Sequence, residues 1–181
     1  RVYKPLLEEL KRRNISYKGI LYAGLMIKDD DPFVVEFNCR FGDPETQAVL
    51  ARWNGDIIPS IIATINGTLS ADLISWHDKS SACVVMVSGG YPGEYKKGYE
   101  IQNIKQANDV IDTIVFQAGT KVDQNKIITD GGRVLGITSL GEDLEDALSK
   151  AYISVETISY ENAFYRNDIG HHELRRKKNG I

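Results

Sequence analysis

Cysteine is scarce in this sequence, which contains only Cys39 and Cys83 among its 181 residues. Two cysteines provide neither the disulfide framework of a small secreted domain nor the C-x-x-C spacing of a structural zinc site. Cytosolic proteins keep their thiols reduced, whereas small secreted domains are rich in disulfides. The sequence therefore predicts a cytoplasmic protein without a disulfide scaffold.

Long apolar runs are also absent. The most apolar stretch, residues 57–65, is interrupted by Pro59, Ser60 and Thr64, whereas a helix that spans a membrane needs about 20 apolar residues in succession. The first residues show no charged segment followed by an apolar one, which is the pattern of a signal peptide. We therefore expect no membrane partner.

Neither sign of charge dominates the chain. The 22 lysines and arginines oppose 25 aspartates and glutamates, which leaves a formal net charge of -3. Proteins that bind nucleic acid through an electrostatic surface are strongly basic, so we expect no nucleic-acid partner. Hydrophobic residues make up 42% and charged residues 26% of the chain. These are the proportions of a globular protein and exclude a disordered one.

An initiating methionine is missing as well. The chain starts at Arg1, so we expect it to be part of a longer protein. Its length suits one or two domains, and short strand patterns become frequent after residues 75–81. We therefore predict one domain over residues 1–77 and a second over residues 78–181.

Hydrophobic periodicity predicts a mixture of helices and strands. In the first domain we expect helices over residues 5–13, 44–52 and 56–65, and strands over residues 17–27 and 33–38. In the second we expect strands over residues 83–87, 100–104, 113–117, 126–129 and 133–139, followed by an amphipathic helix over residues 143–158. The predicted fold class is α+β.

The segment FVVEFNCRFGDPE, residues 33–45, carries the most informative polar side chains. Alternate residues of a strand share a face, so Glu36 and Asn38 point the same way while their apolar neighbours point into a core. Two oxygen ligands at this spacing suit Mg²⁺ (or Mn²⁺), which completes its coordination with substrate phosphates. Arg40 continues the polar face, and its guanidinium suits a phosphoryl or carboxylate group. The alternative is a half-exposed strand with solvated polar side chains.

A second candidate group lies in TDGGR, residues 129–133. Gly131 and Gly132 precede a predicted strand that begins with Arg133. Glycines let backbone N–H groups approach an anion closely, and the arginine would add a positive charge. The alternative is a tight hairpin turn with an exposed arginine, since turn chemistry alone accounts for paired glycines.

Several strings of this sequence resemble one family. VVEFNCRFGDPETQ, preceded by GILYAGLMI, resembles the ATP-grasp signature of the phosphoribosylamine–glycine ligases, also called glycinamide ribonucleotide synthetases. VVMVSGGYPGEYKKG, VFQAGT, TDGGRVLGITSLG and YRNDIG then follow in the family's order, so that the resemblance covers residues 17–170. It implies the C-terminal part of an ATP-grasp domain, followed by a small β-rich domain with a closing helix. Family members are considerably longer, and their N-terminal domain and most of the ATP-binding part have no counterpart here.

The resemblance implies ATP-dependent joining of glycine to 5-phosphoribosylamine in purine biosynthesis. The products would be glycinamide ribonucleotide, ADP and phosphate, formed through glycyl phosphate. Glu36 and Asn38 match the family's Mg²⁺ ligands, and Arg40 matches the arginine expected to steady the acyl phosphate. Asp43 would contact the glycine ammonium. Arg133, together with Gly131 and Gly132, would bind the phosphate of phosphoribosylamine.

The sequence departs from the family at two places, since Gln117 stands where the family has a histidine and Asp130 stands where it has an asparagine. It also departs from the wider ATP-grasp superfamily, because the strand LYAGLMI lacks the acidic ligand that many members carry. Two other interpretations stay open, namely another ATP-grasp ligase or carboxylase, and a non-catalytic fragment. Because one of the two nucleotide-holding subdomains is missing, we expect the isolated chain to be inactive.

Overall fold

The computed structural model describes residues 1–178, and the chain forms two compact units. The first unit comprises residues 1–43 and 53–75, and the second comprises residues 44–52 together with the chain from residue 76 onward. Residues 44–52 therefore group with the later part of the chain. The domain boundary after residue 77 stays a prediction. Within residues 1–178 no helix is both long enough and apolar enough to cross a membrane.

The elements alternate irregularly between helix and strand, as the α+β class requires, so the predicted class is confirmed. The helices are α1 (Tyr3–Arg12), α2 (Glu45–Ala51), α3 (Ile58–Asn66), α4 (Ile104–Asn108), α5 (Leu144–Thr157) and α6 (His171–Lys178). The strands are β1 (Tyr22–Lys28), β2 (Asp31–Asn38), β3 (Ser80–Ser88), β4 (Thr113–Gln117), β5 (Thr120–Asp123), β6 (Lys126–Thr129), β7 (Arg133–Gly141) and β8 (Ala163–Tyr165).

The first unit is organised around the antiparallel hairpin of β1 and β2. Asp29 and Asp30 connect the strands, and both have positive φ angles, 51° and 61°. Two such residues in succession form a hairpin turn whose twist matches that of the strands, and aspartate tolerates this conformation better than most residues. The local sequence therefore fixes where β2 begins.

The apolar side chains of β2 are not in a core, which contradicts the sequence-based expectation. Val35 is 68% exposed and Phe37 is 42% exposed. The described residues of the first unit bury only Gly42, Ser60 and Ala63. Within the described residues, the unit therefore has no apolar layer of its own that covers the hairpin. Alternation along β2 predicted which side chains share a face, but it could not predict whether another element would cover that face.

The second unit contains an antiparallel four-stranded sheet in the order β4-β7-β3-β8. One face packs against α5, and its core includes Val84, Leu135 and Ile137 on the strands with Ala151 and Val155 on the helix. Each of these five side chains is at most 1% exposed. The helix begins at Asp143, whose Oδ1 accepts a hydrogen bond from the N–H of Asp146 at 2.8 Å, an N-cap that matches the predicted start.

The second face of the sheet carries the alternate residues of β3, among them Cys83, Val85 and Val87, which are half-buried. Helix α2 covers part of this face, since the hydroxyl of Ser81 donates to the carbonyl of Ala48 at 2.7 Å. The part that α2 leaves open contains a cleft.

Two strand predictions were wrong, and two strands were missed. Residues 100–104 form only isolated bridges at Glu100 and Gln102, because Asn103 is left-handed (φ 65°) and α4 starts directly after it. Residues 17–21 precede β1 and are not part of it. The missed strands, β5 and β8, contain four and three residues, which is too short to show periodicity.

Tyr160 links the segment before β8 to strand β3. Its side chain is largely buried, and its hydroxyl donates to the carbonyl of Val87 at 2.9 Å. Burial raises the pKa of this phenol above its ordinary value of 10.0, because the phenolate would lose its hydration.

Tyr160→Phe is expected to lower the free energy of unfolding at neutral pH by about 1 kcal/mol, since the Val87 carbonyl loses its donor. Because the raised pKa belongs to the folded state, wild-type stability should fall as the pH rises above 10.0. The variant lacks this contribution, so the difference in free energy of unfolding between the two proteins should shrink with rising pH. Urea unfolding at neutral pH and at about pH 11 measures that difference. A difference that stays constant contradicts the raised pKa of Tyr160.

Candidate functional site

Glu36 and Asn38 lie side by side near the end of β2. The amide nitrogen Nδ2 of Asn38 donates to Oε1 of Glu36 at 2.8 Å, so the two side chains meet on one face of the hairpin. The partner strand offers no obstruction there, because Glu36 lies opposite Gly24. A Cβ at Gly24 would come within 3.1 Å of Cγ of Glu36, which shows how closely the Glu36 side chain crosses this position.

The donor set of this pair fits a hard divalent cation. In residues 1–178 neither Oε2 of Glu36 nor Oδ1 of Asn38 takes part in a hydrogen bond. A half-turn of the Asn38 amide would place Oδ1 beside the carboxylate, and one carboxylate and one amide oxygen are ligands that Mg²⁺ accepts together with phosphate oxygens. The described chain has no cluster of three or more His, Cys, Asp or Glu residues that would form a complete protein site.

Arg40 and Asp43 lie in the loop that follows β2. Nη1 of Arg40 donates to the neighbouring carbonyl of Phe41 at 2.7 Å, so its guanidinium is turned along the loop. No hydrogen bond within the described range joins Arg40 to Glu36 or Asn38. Asp43 is exposed. The structure thus brings the two proposed metal ligands together and places the two proposed catalytic residues on the adjoining loop.

Arg133, the first residue of β7, lines a cleft of about 330 Å³ on the second face of the sheet. All lining residues belong to the second unit, and we call this space the Arg133 cleft. Its lining is formed by Pro44, Cys83, Val85, Val87, Tyr91, Arg133, Phe164, Tyr165, Arg166 and Ile169.

Gly131 and Gly132 are required by packing. A Cβ on Gly131 would lie 2.8 Å from Cα of Gly119, and one on Gly132 would overlap the ring of Tyr91. Their carbonyls are both engaged by Ser88, whose Oγ donates to Gly131 at 2.9 Å and whose N–H donates to Gly132 at 2.8 Å. Gly132 therefore leaves room for the Tyr91 ring at the wall of the cleft, and the predicted role of both glycines as an anion loop stays a prediction.

Gln117 and Asp130, the two residues that differ from the family pattern, both interact with side chains of their own unit. Oε1 of Gln117 accepts from the hydroxyl of Thr120 at 2.9 Å, within the short connection between β4 and β5. The carboxylate of Asp130 lies 3.8 Å from Nζ of both Lys97 and Lys121. These contacts are on the surface, and the two lysines compensate the negative charge that Asp130 introduces.

Sequence reasoning missed the side of the cleft formed by β8 and the loop after it. Nε and Nη2 of Arg166 donate to the two carboxylate oxygens of Asp168 at 2.8 and 2.9 Å. The guanidinium lowers the pKa of the Asp168 carboxyl. The sequence did contain a signal for this side of the cleft, namely the string YRNDIG. It forms part of the resemblance to the family, but none of its residues was assigned a role.

Comparison with known proteins assigns both parts of the chain. A family model described as the phosphoribosylglycinamide synthetase C domain matches residues 81–172, and the model of the ATP-grasp (A) domain of the same synthetase matches residues 1–46. The fold is also similar to a biotin carboxylase domain from Hydrogenobacter thermophilus, with a TM-score of 0.59 at 15% identity over 91% of this chain and 37% of that one. The chain thus has the fold of part of an ATP-grasp enzyme.

Relatives of much higher identity define the family within that class. The phosphoribosylamine–glycine ligase of Caldanaerobacter subterraneus is 47% identical over 93% of this chain and 40% of its own length. A Thermotoga maritima ligase of the same name superposes with a TM-score of 0.77 at 31% identity, over 90% of this chain and 39% of that one. The chain belongs to the phosphoribosylglycinamide synthetase family.

The chain covers only part of each relative. It spans about 40% of the curated bacterial ligases and 17% of a trifunctional purine biosynthetic protein of Gallus gallus, to which it is 43% identical over 96% of its own residues. Both the ATP-grasp match and the C-domain match fall inside this shared segment.

Proposed function

We propose that this chain supplies the C-terminal part of an ATP-dependent ligase that joins glycine to 5-phosphoribosylamine. The observation that carries the proposal is the order of the two family matches on one chain, with the ATP-grasp match at residues 1–46 and the C-domain match at residues 81–172. The products would be glycinamide ribonucleotide, ADP and phosphate. The partner needed for activity is the N-terminal portion of the same enzyme.

Glu36 and Asn38 would hold the divalent cation, Mg²⁺ or Mn²⁺, through Oε2 and Oδ1. A divalent cation held by these two residues would supply positive charge that offsets the negative charge developing during phosphoryl transfer. The two side chains lie side by side, so a half-turn of the Asn38 amide is enough to bring its oxygen beside the carboxylate. Glu36 supplies the negative charge of the pair and Asn38 supplies a neutral oxygen.

The proposed reaction has two steps that require positioning more than a covalent catalyst. The glycine carboxylate attacks the γ-phosphorus of ATP, so that ADP leaves and glycyl phosphate forms. The amine of phosphoribosylamine then attacks the acyl carbon and displaces phosphate. Arg40 would exchange its bond to the Phe41 carbonyl for the phosphoryl oxygens, and Asp43 would accept hydrogen bonds from the glycine ammonium.

A chimera tests the proposal. This chain would replace the matching segment of the Caldanaerobacter ligase, to which it is 47% identical. We expect product formation that requires ATP, glycine, phosphoribosylamine and Mg²⁺ together, and no product from this chain alone. A chimera that folds but forms no glycinamide ribonucleotide, alongside an active parent, would contradict the proposal.

Arg133→Ala in the chimera is expected to raise the half-saturating concentration of phosphoribosylamine by about tenfold to 100-fold, because a charge-assisted contact to phosphate is worth about 1.5–3 kcal/mol. The half-saturating concentration of ATP should change much less. Steady-state kinetics with each substrate varied in turn measures both values. Equal effects on the two substrates would count against a phosphate role for Arg133.

A further inference from the structure

We propose that Gly24 is a positioning residue for the divalent cation, because the absence of a side chain at this position determines where the Glu36 carboxylate lies. The inference rests on the proposed function, since it takes Glu36 and Asn38 as the metal ligands. It adds a residue of β1 to a site that sequence reasoning placed entirely on β2 and the loop after it. Gly24 would act through Glu36 and would not contact the cation.

Strand register places Gly24 on the face that carries the proposed ligands. Gly24 pairs with Glu36, and Tyr22 pairs with Asn38. Directly opposed residues of antiparallel strands share a face, and so do residues two apart along one strand. The four positions therefore form one group across the hairpin, with both ligands on β2 and with a glycine and a tyrosine opposite them on β1.

The Glu36 side chain occupies the space that a β-carbon on Gly24 would need. That Cβ would lie 3.1 Å from Cγ of Glu36 and 3.9 Å from its main-chain nitrogen. Nonbonded carbon atoms are best separated by about 3.5–4.0 Å, so Cγ would have to move by about half an ångström or Glu36 would have to change its rotamer. Cε1 of Tyr22 lies 3.8 Å from the same point, which is an ordinary contact. An alanine would therefore displace the Glu36 side chain and leave Tyr22 in place.

The backbone does not explain a glycine at this position. Gly24 does not have a positive φ angle, so an alanine could adopt its conformation. The register of the hairpin shifts directly after Gly24, but the type of bulge that requires glycine places it in the left-handed region. Glycine within a strand also weakens the strand, because it packs no side chain and loses more conformational freedom on folding than any other residue. The close approach of Glu36 is the feature that accounts for the glycine.

A small displacement of Glu36 matters because the site has few protein ligands. Strand β1, with the sequence YAGLMIK, contains no carboxylate, so the pair on β2 has to position the cation without an acidic residue from the neighbouring strand. Mg²⁺ requires near-ideal octahedral geometry at about 2.0–2.1 Å, whereas Ca²⁺ accepts longer distances and irregular geometry. Functional side chains have to be held within about 0.5 Å of the productive geometry. Displacing Glu36 should therefore weaken the binding of Mg²⁺ more than that of Ca²⁺.

The test uses the whole chain with Mn²⁺ as the probe. A bound paramagnetic ion broadens the NMR signals of nearby groups, and the side-chain amide of Asn38 reports on this site. We expect Mn²⁺ to broaden that signal in the wild-type chain. Gly24→Ala should need about tenfold more Mn²⁺ for the same broadening, which is the usual size of effect when a residue that orients a metal ligand is changed. Competition with Mg²⁺ and with Ca²⁺ then compares the two ions, and the loss should be larger for Mg²⁺.

The chimera provides a second readout. Gly24→Ala should raise its half-saturating Mg²⁺ concentration by about tenfold. Turnover at saturating Mg²⁺ should stay within about threefold of that of the unsubstituted chimera, because both ligands are still present once the cation is bound. A glycine with a merely structural role would not separate the two quantities in this way.

Gly136→Ala is the matched control. Gly136 is also a strand glycine without a positive φ angle, and it lies on β7 in the second unit. A Cβ at this position would lie 3.6 Å from Sγ of Cys83 and 3.8 Å from Nε2 of Gln47, which are ordinary van der Waals contacts. The variant should bind Mn²⁺ within about twofold of wild type. Thermal unfolding would show that both variants fold, and Gly24→Ala should unfold at nearly the same temperature as wild type, because alanine can adopt the strand conformation.

Three outcomes overturn the inference. The first is a Gly24→Ala chain that binds Mn²⁺ as tightly as wild type, and the second is an equal loss of affinity in Gly24→Ala and Gly136→Ala. The third is a folded wild-type chain whose Asn38 signal is not broadened by millimolar Mn²⁺. Each of these leaves the ligase proposal standing if the chimera forms product. Conversely, Mn²⁺ binding that depends on Gly24, together with an inactive chimera, supports the positioning role and contradicts the ligase.

Discussion

Glu36→Gln is expected to lower the turnover of the chimeric ligase by about 100-fold or more. Glutamine preserves the shape of the side chain but removes the negative charge of the proposed metal pair, so the cation would be held by Asn38 and the phosphates alone. Asn38→Ala should also lower turnover strongly, because it removes the second oxygen of the proposed metal pair, which lies beside Glu36. Rates at saturating ATP and glycine measure the effect.

Glu8→Gln is a suitable control, because Glu8 is an exposed carboxylate on α1 of the same unit. The turnover of the Glu8→Gln chimera should stay within about twofold of that of the unsubstituted chimera. Raising the Mg²⁺ concentration should restore part of the activity of Asn38→Ala, since the carboxylate is still present. Near-normal turnover in both site variants would contradict the metal assignment.

Ile137→Ala is expected to reduce the free energy of unfolding of the second unit by about 2–5 kcal/mol. Ile137 is fully buried on the central strand β7, within the core that packs against α5. Truncation removes transfer free energy and leaves a cavity that a sheet paired on both sides cannot close easily. Urea unfolding of the chain, followed by circular dichroism, measures the change.

Ile114→Ala provides the comparison at the same residue type. Ile114 lies on the adjacent strand β4 and is 49% exposed, so the same truncation should cost about 0.5 kcal/mol or less. Similar losses in the two variants would contradict the assignment of the core to the α5 face of the sheet.

The sequence predicted best where one local pattern decided the outcome. The α5 helix carries a regular apolar stripe, and Asp143 caps it as the spacing indicated. The shared face of Glu36 and Asn38 followed from strand alternation, and the 2.8 Å contact between them agrees with it. In both cases the determining interactions lie within a few residues along the chain.

Prediction failed where distant parts of the chain decide the structure. The strand β8 exists because residues 163–165 pair with residues 86–88, and three residues contain no period to detect. Arg166 reaches the cleft only through that pairing, so its neighbourhood with Arg133 was not visible in the sequence. The burial of Val35 was predicted from alternation alone, although no apolar layer within its own unit covers it.

Transfer of oxygen from glycine to phosphate tests the central claim most directly. The chimera would be supplied with glycine carrying ¹⁸O in its carboxylate, together with ATP, Mg²⁺ and phosphoribosylamine, and the phosphate product would be analysed by mass spectrometry. If the carboxylate attacks the γ-phosphorus and the amine then displaces phosphate, each phosphate released should carry one ¹⁸O atom from glycine. Phosphate without ¹⁸O, formed together with glycinamide ribonucleotide, would contradict ligation through glycyl phosphate.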